Sequence, residues 1–317
     1  MTLDPSGTLL VSIPGQGRIV ALPDRDGRAD RSVTVVNGLD LPHGLAFLGG
    51  DLYVAETGRV LRFRYDPIGL KASDPTVVVP NLPRGSGHWT RTITFGPDGG
   101  LYVSVGSSCN VCQEQDHRRA AIIRYNADGS GERPFATGLR NAVGIAFHPT
   151  TGALWATVNE RDWRGDDLPP DYITEVKAGA FYGWPDCFVS RQKIIPDRGV
   201  VERCWPWKVK LPTLEIQAHS APLGLTFYTG HQFPPEFRGS LFVAYHGSWN
   251  RSVPTGYKVV RVVFLDGRPN KVEDFATGWL EGNRIWGRPV DLLVGNNGAL
   301  YVSDDDAGRI YRITFKP

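Results

Sequence analysis

No stretch of this sequence stays apolar for the roughly 18 residues that a membrane-spanning helix requires, so membrane insertion is not expected. An excess of one charge is missing too: 35 basic residues face 33 acidic ones, for a formal net charge of +2. That balance attracts neither nucleic acid nor an anionic bilayer, and neither is expected as a partner. Cysteine is scarce, at four residues, and no Cys-x-x-Cys-His run is present to attach a haem. The opening MTLDPSGTLL does not read as a basic region followed by an apolar one.

The four cysteines are Cys109, Cys112, Cys187 and Cys204. A four-cysteine zinc site wants two close pairs, and the second pair here is widely spaced. A thioredoxin-like motif opens a helix in a βα unit, and no such unit surrounds CNVC. The reading is therefore two local disulfides, 109–112 and 187–204, in a periplasmic or secreted protein. Its export signal is expected upstream of Met1.

Glycine and proline, by contrast, are plentiful, at 37 and 24, and they sit between short apolar runs, as turns do in β proteins. The runs repeat. A polar preface, a short apolar strand, a Gly-rich turn and a second strand recur in HGLAFLGGDLYVAET, RTITFGPDGGLYVSVG and VGIAFHPTTGALWATV. Shorter versions follow in GLTFYTG with GSLFVAY, and in PVDLLVGNNGALYVSDDDAGRIYRITF. Counting the N-terminal MTLDPSGTLLVSI, there are six copies, spaced about 45 to 50 residues apart early in the chain.

Repeats of that length built from short strands predict an all-β fold, a six-bladed β-propeller of four-stranded antiparallel blades, as one domain over residues 1–317. Outer strands are expected at 32–37 and 76–80. The last blade runs out of sequence after its third strand, RIYRI. It is expected either to keep three strands or to be completed by residues upstream of Met1.

The first strand of each blade lines the axis, so the residue before it faces one central funnel. The prefaces are His43, His88 to Arg91, Arg140-Asn141, His219-Ser220 and Arg284 to Arg288. Such a basic, imidazole-rich mouth suits a small polyanion, because arginine forks pair with carboxylates. Histidine is the side chain most easily poised as a base near neutral pH. Two loops add polar groups. The acidic VNERDWRGDDLPPDYI, residues 158–173, reads equally as a solvated loop or as a calcium loop of oxygen donors. The loop in AYHGSWNRSVPTGYKVV supplies His246, Trp249, Asn250, Arg251 and Lys258, with Trp249 either a packed anchor or a stacking surface.

GLRNAVGIAFHPTTGALWATVNERD, ITEVKAGAFYGWP and HSAPLGLTFYTG with RGSLFVAYHGSWNR carry a family resemblance along most of the chain. The sequence resembles the soluble sugar dehydrogenases that use pyrroloquinoline quinone (PQQ) and calcium. Within that glucose/sorbosone dehydrogenase family it is most similar to the sorbosone and pyranose branch. The resemblance implies His88 as catalytic base and Arg140 beside the reactive carbonyls of the quinone. His43, Arg140, Asn141, His219, Arg251 and Arg288 are then the cofactor-binding set, with Lys258 a second choice for Arg251. Val290 stands where the family has another arginine, and Arg284 is the expected compensation. Calcium is implied on the main-chain carbonyls of Glu160 and Arg161, although the family's Gly-Pro is missing there. The implied reaction oxidises a sugar to a lactone or acid, the hydride passing to the quinone and the electrons leaving to an external acceptor. Sugar choice is assigned to the loops 109–119 and 186–215.

Two other classes stay open: a calcium-dependent lactonase propeller, which would need acidic and Asn side chains at the hub, and a non-enzymatic NHL-like binding propeller. A family member that no longer holds PQQ is a third reading, kept open by Val290 and the missing lysine.

Overall fold

Each repeat folds into one small antiparallel sheet, in the order the spacing predicts. The computed structural model describes residues 1–25, 27–197 and 204–316. Blade 1 comprises Thr2–Leu3, Leu9–Ile13, Arg18–Leu22 and Val33–Val36. Blade 2 comprises Leu45–Leu48, Asp51–Glu56, Arg59–Asp66 and Lys71–Val79, its last strand starting earlier than the sequence reading placed it. Blade 3 is Ile93–Phe95, Leu101–Val105, Ala121–Tyr125 and Arg133–Thr137. Blade 4 is Ala142–Phe147, Leu154–Val158, Tyr172–Glu175 and Leu214–Glu215. Blade 5 is Pro222–Phe227, Leu241–Tyr245, Lys258–Leu265 and Arg268–Ala276. Blade 6 has three strands among the described residues, Pro289–Val294, Leu300–Asp304 and Arg309–Ile313. The arrangement is a six-bladed β-propeller.

Alternation within each strand sends apolar side chains to both faces of a blade, so the core forms between blades rather than inside one sheet. Leu10, Ile19 and Val35 of blade 1 pack on Leu52, Val54 and Phe63 of blade 2. Equivalent clusters join blades 2 and 3, 3 and 4, 4 and 5, and 5 and 6. The seam between blades 6 and 1 differs. No such cluster spans it among the described residues, the Met1 amine pairs there with Asp291 at 2.5 Å, and a cleft past Leu9, Val11 and Ile310 opens into the central cavity.

At the axis the inner strands come too close for side chains at certain positions. A Cβ on Gly144 would stand 2.2 Å from the Leu223 carbonyl oxygen of the next blade, and one on Gly224 would stand 2.5 Å from Asp291 Oδ1. Gly144→Ala is expected to lower stability by about 1–3 kcal/mol through this overpacking, read as a lower denaturant midpoint at unchanged m-value. Gly15→Ala, with nothing within 4 Å, should leave the midpoint nearly unmoved.

Both expected disulfides are formed, Cys109–Cys112 and Cys187–Cys204. The second anchors a hairpin, Cys187–Ser190 with Lys193–Pro196, beside blade 4. Residues 198–203, part of the second loop expected over the hub, lie outside the described residues. No helix among the described residues is long and apolar enough to cross a membrane.

Candidate active site

The turn before the inner strand of blade 3 presents His88, and the main chain around it is unusually well held. Its N–H donates to the Ser107 carbonyl at 3.0 Å. Ring Nδ1 lies 3.0 Å from that same carbonyl and 3.1 Å from Ser107 Oγ. A carbonyl only accepts, so in the neutral ring Nδ1 carries the proton and Nε2 keeps a lone pair. Ser107 Oγ gives its own hydrogen to the Cys109 carbonyl at 2.7 Å, which leaves its lone pairs for His88.

Two buried arginines clamp the loop from beneath. Arg91, fully buried, donates to the carbonyls of His88 at 3.0 Å, Thr90 at 2.7 Å and Pro83 at 2.5 Å. Arg119 donates to Gly106 at 3.2 Å and Arg84 at 2.9 Å. Burial first, then the charges of Arg140, Arg119 and Arg91, push the His88 pKa down to about 3. Burial likewise lowers Arg91 to about 9. His43 follows the same pattern, with Nδ1 3.2 Å from the Arg91 carbonyl and burial taking its pKa to about 4. Its ring meets Trp89 edge-on, 5.7 Å between centroids.

Arg140 sits at the next preface and is almost entirely buried. Every arm of its guanidinium is used. Nε donates to the Asn110 carbonyl at 3.1 Å, Nη1 to the carbonyls of Glu160 at 2.7 Å and Asn159 at 3.3 Å, and Nη2 to Asn110 Oδ1 at 3.1 Å and Asp162 Oδ2 at 3.2 Å. Asn110 lies inside the short Cys109–Cys112 disulfide loop and exchanges bonds with the main chain of Asp162, at 2.8 and 3.2 Å. The other oxygen of Asp162 accepts from Asn250 Nδ2 at 2.8 Å. His219 joins the edge of this knot, Nδ1 3.9 Å from Asp162 Oδ1 and Nε2 2.9 Å from the Gly165 carbonyl. Loops of blades 3 and 4 thus meet on one guanidinium, and blade 5 joins them through Asp162.

Two carboxyls are buried behind it. Glu160 is raised to about 7 and Asp171 to about 6, both chiefly by burial. Asp171 accepts from the main-chain N–H of Glu160 and of Ala221, each at 2.9 Å, and so fixes the start of the acidic loop to blade 5. The Arg161 side chain turns away to Asp197, at 2.7 Å to both carboxylate oxygens, where Arg164 also pairs.

A central cavity of about 1820 Å³ takes in the hub and the open seam between blades 6 and 1. His43, His88, Trp89, Asn141, His246 and Asp305 line its hub end.

The TrAA12-like family model matches residues 1–316. The chain belongs to the TrAA12-like family. It is 28% identical to the pyrroloquinoline quinone-dependent pyranose dehydrogenase of Coprinopsis cinerea, over 99% of this chain and 51% of that protein. It is 26% identical to the pyrroloquinoline quinone-dependent sugar dehydrogenase of Hypocrea jecorina, over 98% of this chain and 84% of that protein. The chain therefore spans about half the length of the Coprinopsis relative. Among solved structures, the PQQ domain of the Coprinopsis pyranose dehydrogenase in its holo form superposes with a TM-score of 0.81 at 25% identity, over 99% of this chain and 91% of that one. A Trichoderma reesei structure of family AA12 superposes with a TM-score of 0.84 at 23% identity, over 98% and 90%. These are the relatives that the sequence motifs resemble.

In this TrAA12-like chain the remaining candidates separate. Arg251 reaches the acidic loop, donating to the Asp166 carbonyl and pairing with Asp167 at 3.1 Å, while its Nε is buried without a partner. Lys258, the second choice, is spent on Asp274 within blade 5, at 2.6 Å. Arg288 lies over the Tyr257 ring, 5.0 Å from its centroid, and donates to the Gly247 carbonyl at 3.2 Å. Among the described residues no carboxylate stands within ion-pairing distance of it. Arg284 is exposed on the short hairpin Leu280–Glu281 with Arg284–Ile285, and Val290 lines the cavity. Asn110, Asp162, Ser107 and Asp171 were missed as site residues. The only signals for them were an Asn inside the CNVC loop and the aspartates of the acidic loop.

Proposed function

We propose that this chain is the quinone-binding propeller of a PQQ-dependent sugar dehydrogenase, exported to an oxidising compartment. The observation that carries the reading is the oriented, uncharged His88 at the wall of the central cavity, with Arg140 at the next preface and Arg288, among the described residues, in no ion pair with a carboxylate. Names of the TrAA12-like relatives support PQQ and a sugar. The two disulfides support the periplasm or the outside.

The residues fit a planar tricarboxylate. Among the described residues Arg288 offers a fork in no ion pair with a carboxylate, and the buried unpartnered Nε of Arg251 is a donor awaiting an acceptor. His43 and Asn141 add polar groups to the cavity wall, and His219 is tied to the knot through Asp162. The fit to calcium is one of donor chemistry. Carbonyl oxygens of Glu160 and Arg161 are of the kind calcium takes. Glu160's carbonyl keeps a second lone pair after its bond from Arg140. The nearby Asp162 carboxylate supplies negative charge, and the buried carboxyls of Glu160 and Asp171 add theirs once ionised.

PQQ, when bound, would supply the acceptor for the hydride of the oxidised carbon. His88 Nε2 takes the hydroxyl proton, with Ser107 holding Nδ1–H and so the ring's direction. Arg140 holds a fixed positive charge at the hub, aligned in advance by Asn110, Asp162 and the 159–160 carbonyls, as preorganised electrostatics requires. Arg91 and Arg119 keep the main chain of the base in place. The product is a lactone or acid, and an external acceptor reoxidises the site. The hub prefaces are Arg and His, and among the described residues the one cluster of metal-ligating side chains is Cys109, Cys112 and Glu114, whose sulfurs are joined. Both features weigh against the lactonase reading.

Calorimetric titration of the protein with PQQ, in calcium and after EDTA, tests the proposal. Saturable one-to-one binding is expected, weaker without calcium. Arg288→Ala should weaken it roughly 10- to 100-fold, the worth of a charge-assisted hydrogen bond. No heat of binding in either medium would overturn the reading.

A further inference from the structure

Two indoles on the rim have no structural reason to be where they are. Trp163, in the acidic loop, is 69% exposed, and Trp249, in the HGSWNR loop, is 64% exposed. Trp163 also has φ of 69°, a left-handed backbone that a bulky residue enters only under constraint. Neither buries its ring in a core, so packing does not account for them.

Their geometry is nevertheless fixed. The ring centroids are 5.2 Å apart and the planes meet at 85°, an edge-to-face corner whose two rings stay largely exposed. The loops beneath are laced together: Asn250 Nδ2 to Asp162 Oδ1 at 2.8 Å, the Ser252 N–H to Asp166 Oδ1 at 3.0 Å, and Arg251 to Asp167 at 3.1 Å. The residue before Trp163 is Asp162, which holds Arg140. The corner is therefore rigidly attached to the hub. It is not part of the hub cavity, whose lining includes His43, His88 and Trp89 but neither Trp163 nor Trp249.

We infer that the Trp163–Trp249 corner is a subsite for a second pyranose ring of an oligosaccharide whose terminal unit enters the hub. The C–H face of a pyranose stacks on an indole, and its hydroxyls need charged or polar acceptors at the ring edge. Asp167, on the same loop as Trp163 and paired with Arg251 of the Trp249 loop, has its side chain 84% exposed and supplies one. The inference rests on the sugar dehydrogenase reading for the hub, but the corner binds sugar through its own groups.

The test uses the full chain without PQQ, titrated with glucose, cellobiose, cellotriose, maltose and maltotriose and followed by indole fluorescence. One oligosaccharide series should bind about tenfold tighter than glucose, the worth of one ring stacked on an indole. Trp163→Ala and Trp249→Ala should each remove that gain, and Trp163→Phe should keep part of it. Both variants should titrate with PQQ as the unaltered protein does. Oligosaccharides no tighter than glucose, or a gain that survives both alanine variants, would sink the subsite. Loss of PQQ binding in the alanine variants would also overturn it, because the corner would then be a cofactor platform. If the unaltered protein binds no PQQ but does bind oligosaccharides through the corner, the quinone reading fails and the subsite stands.

Discussion

Replacing His88 with glutamine is expected to lower kcat for sugar-dependent dye reduction by about 10²- to 10⁴-fold, the range for a positioned general base, with PQQ affinity little changed. Glutamine keeps a polar group facing Ser107 but offers no base to a hydroxyl proton. The unaltered protein should show a distinctive pH profile. Burial first, and then the charges of the nearby Arg140, Arg119 and Arg91, hold the His88 pKa near 3. A histidine lowered this far is already deprotonated at pH 5. The kcat/KM profile of the free enzyme should therefore lack an acid limb near 6.5, and should fall only as pH approaches the folded pKa. An acid limb centred near 6.5 that disappears in His88→Gln would contradict that environment.

The same groups bear on stability, with opposing signs. His43 and His88 have folded pKa values of about 4 and 3 against 6.5 unfolded. The unfolded chain takes up protons that the native state refuses, so their contribution is present above 6.5 and lost as pH falls. Glu160 and Asp171 are raised to about 7 and 6, from 4.5 and 3.8. Their contribution is present at low pH and lost as pH rises through the folded values. Between pH 4 and 6.5 the two pairs pull against one another, and the net slope should be shallower than either pair alone would give.

The blades were legible in the sequence because strand period and turn chemistry are local. GPDGG and GNNGA mark turns whatever surrounds them, and the five polar prefaces follow from blade geometry. His88, His43 and Asn141 could be placed on one cavity for that reason. The Arg140 knot was not legible. Asn110, Asp162 and Asn250 come from three blades, and which loop tips meet is decided by loop closure over the hub, which leaves no period in the sequence. The acidic loop illustrates the difference. Its composition pointed to free oxygen donors, whereas the fold engages those oxygens with Arg140, buries Glu160 and commits Arg161 to Asp197. Arg251 and Lys258 could not be ranked from spacing, because Lys258 falls inside a strand where its partner is Asp274. The three strands of blade 6 followed directly from counting strands, whereas the cleft at its seam with blade 1 left no mark in the sequence.

Arg140→Ala is the substitution with the second large expected effect, and it should appear in stability before it appears in catalysis. Removing the guanidinium strips donors from the Glu160 and Asn159 carbonyls, from both oxygens of Asn110, and from Asp162, the Glu160 bond being buried and the others part-buried. Breaking a buried ion pair from one side costs about 3–5 kcal/mol, because the remaining charge is left uncompensated. Arg140→Lys keeps the charge but presents a single ammonium to acceptors spread over five atoms, and should recover only part of the loss. Asp162→Asn separates charge from geometry. If the uncompensated carboxylate dominates, the double variant Arg140→Ala/Asp162→Asn will be more stable than Arg140→Ala alone, and the cycle will show a coupling of about 1–3 kcal/mol. Guanidinium midpoints with unchanged m-values provide the reading. Additive effects would mean that Arg140 is held by its carbonyl acceptors, and that Asp162 serves mainly to fix Asn250 and the rim above it.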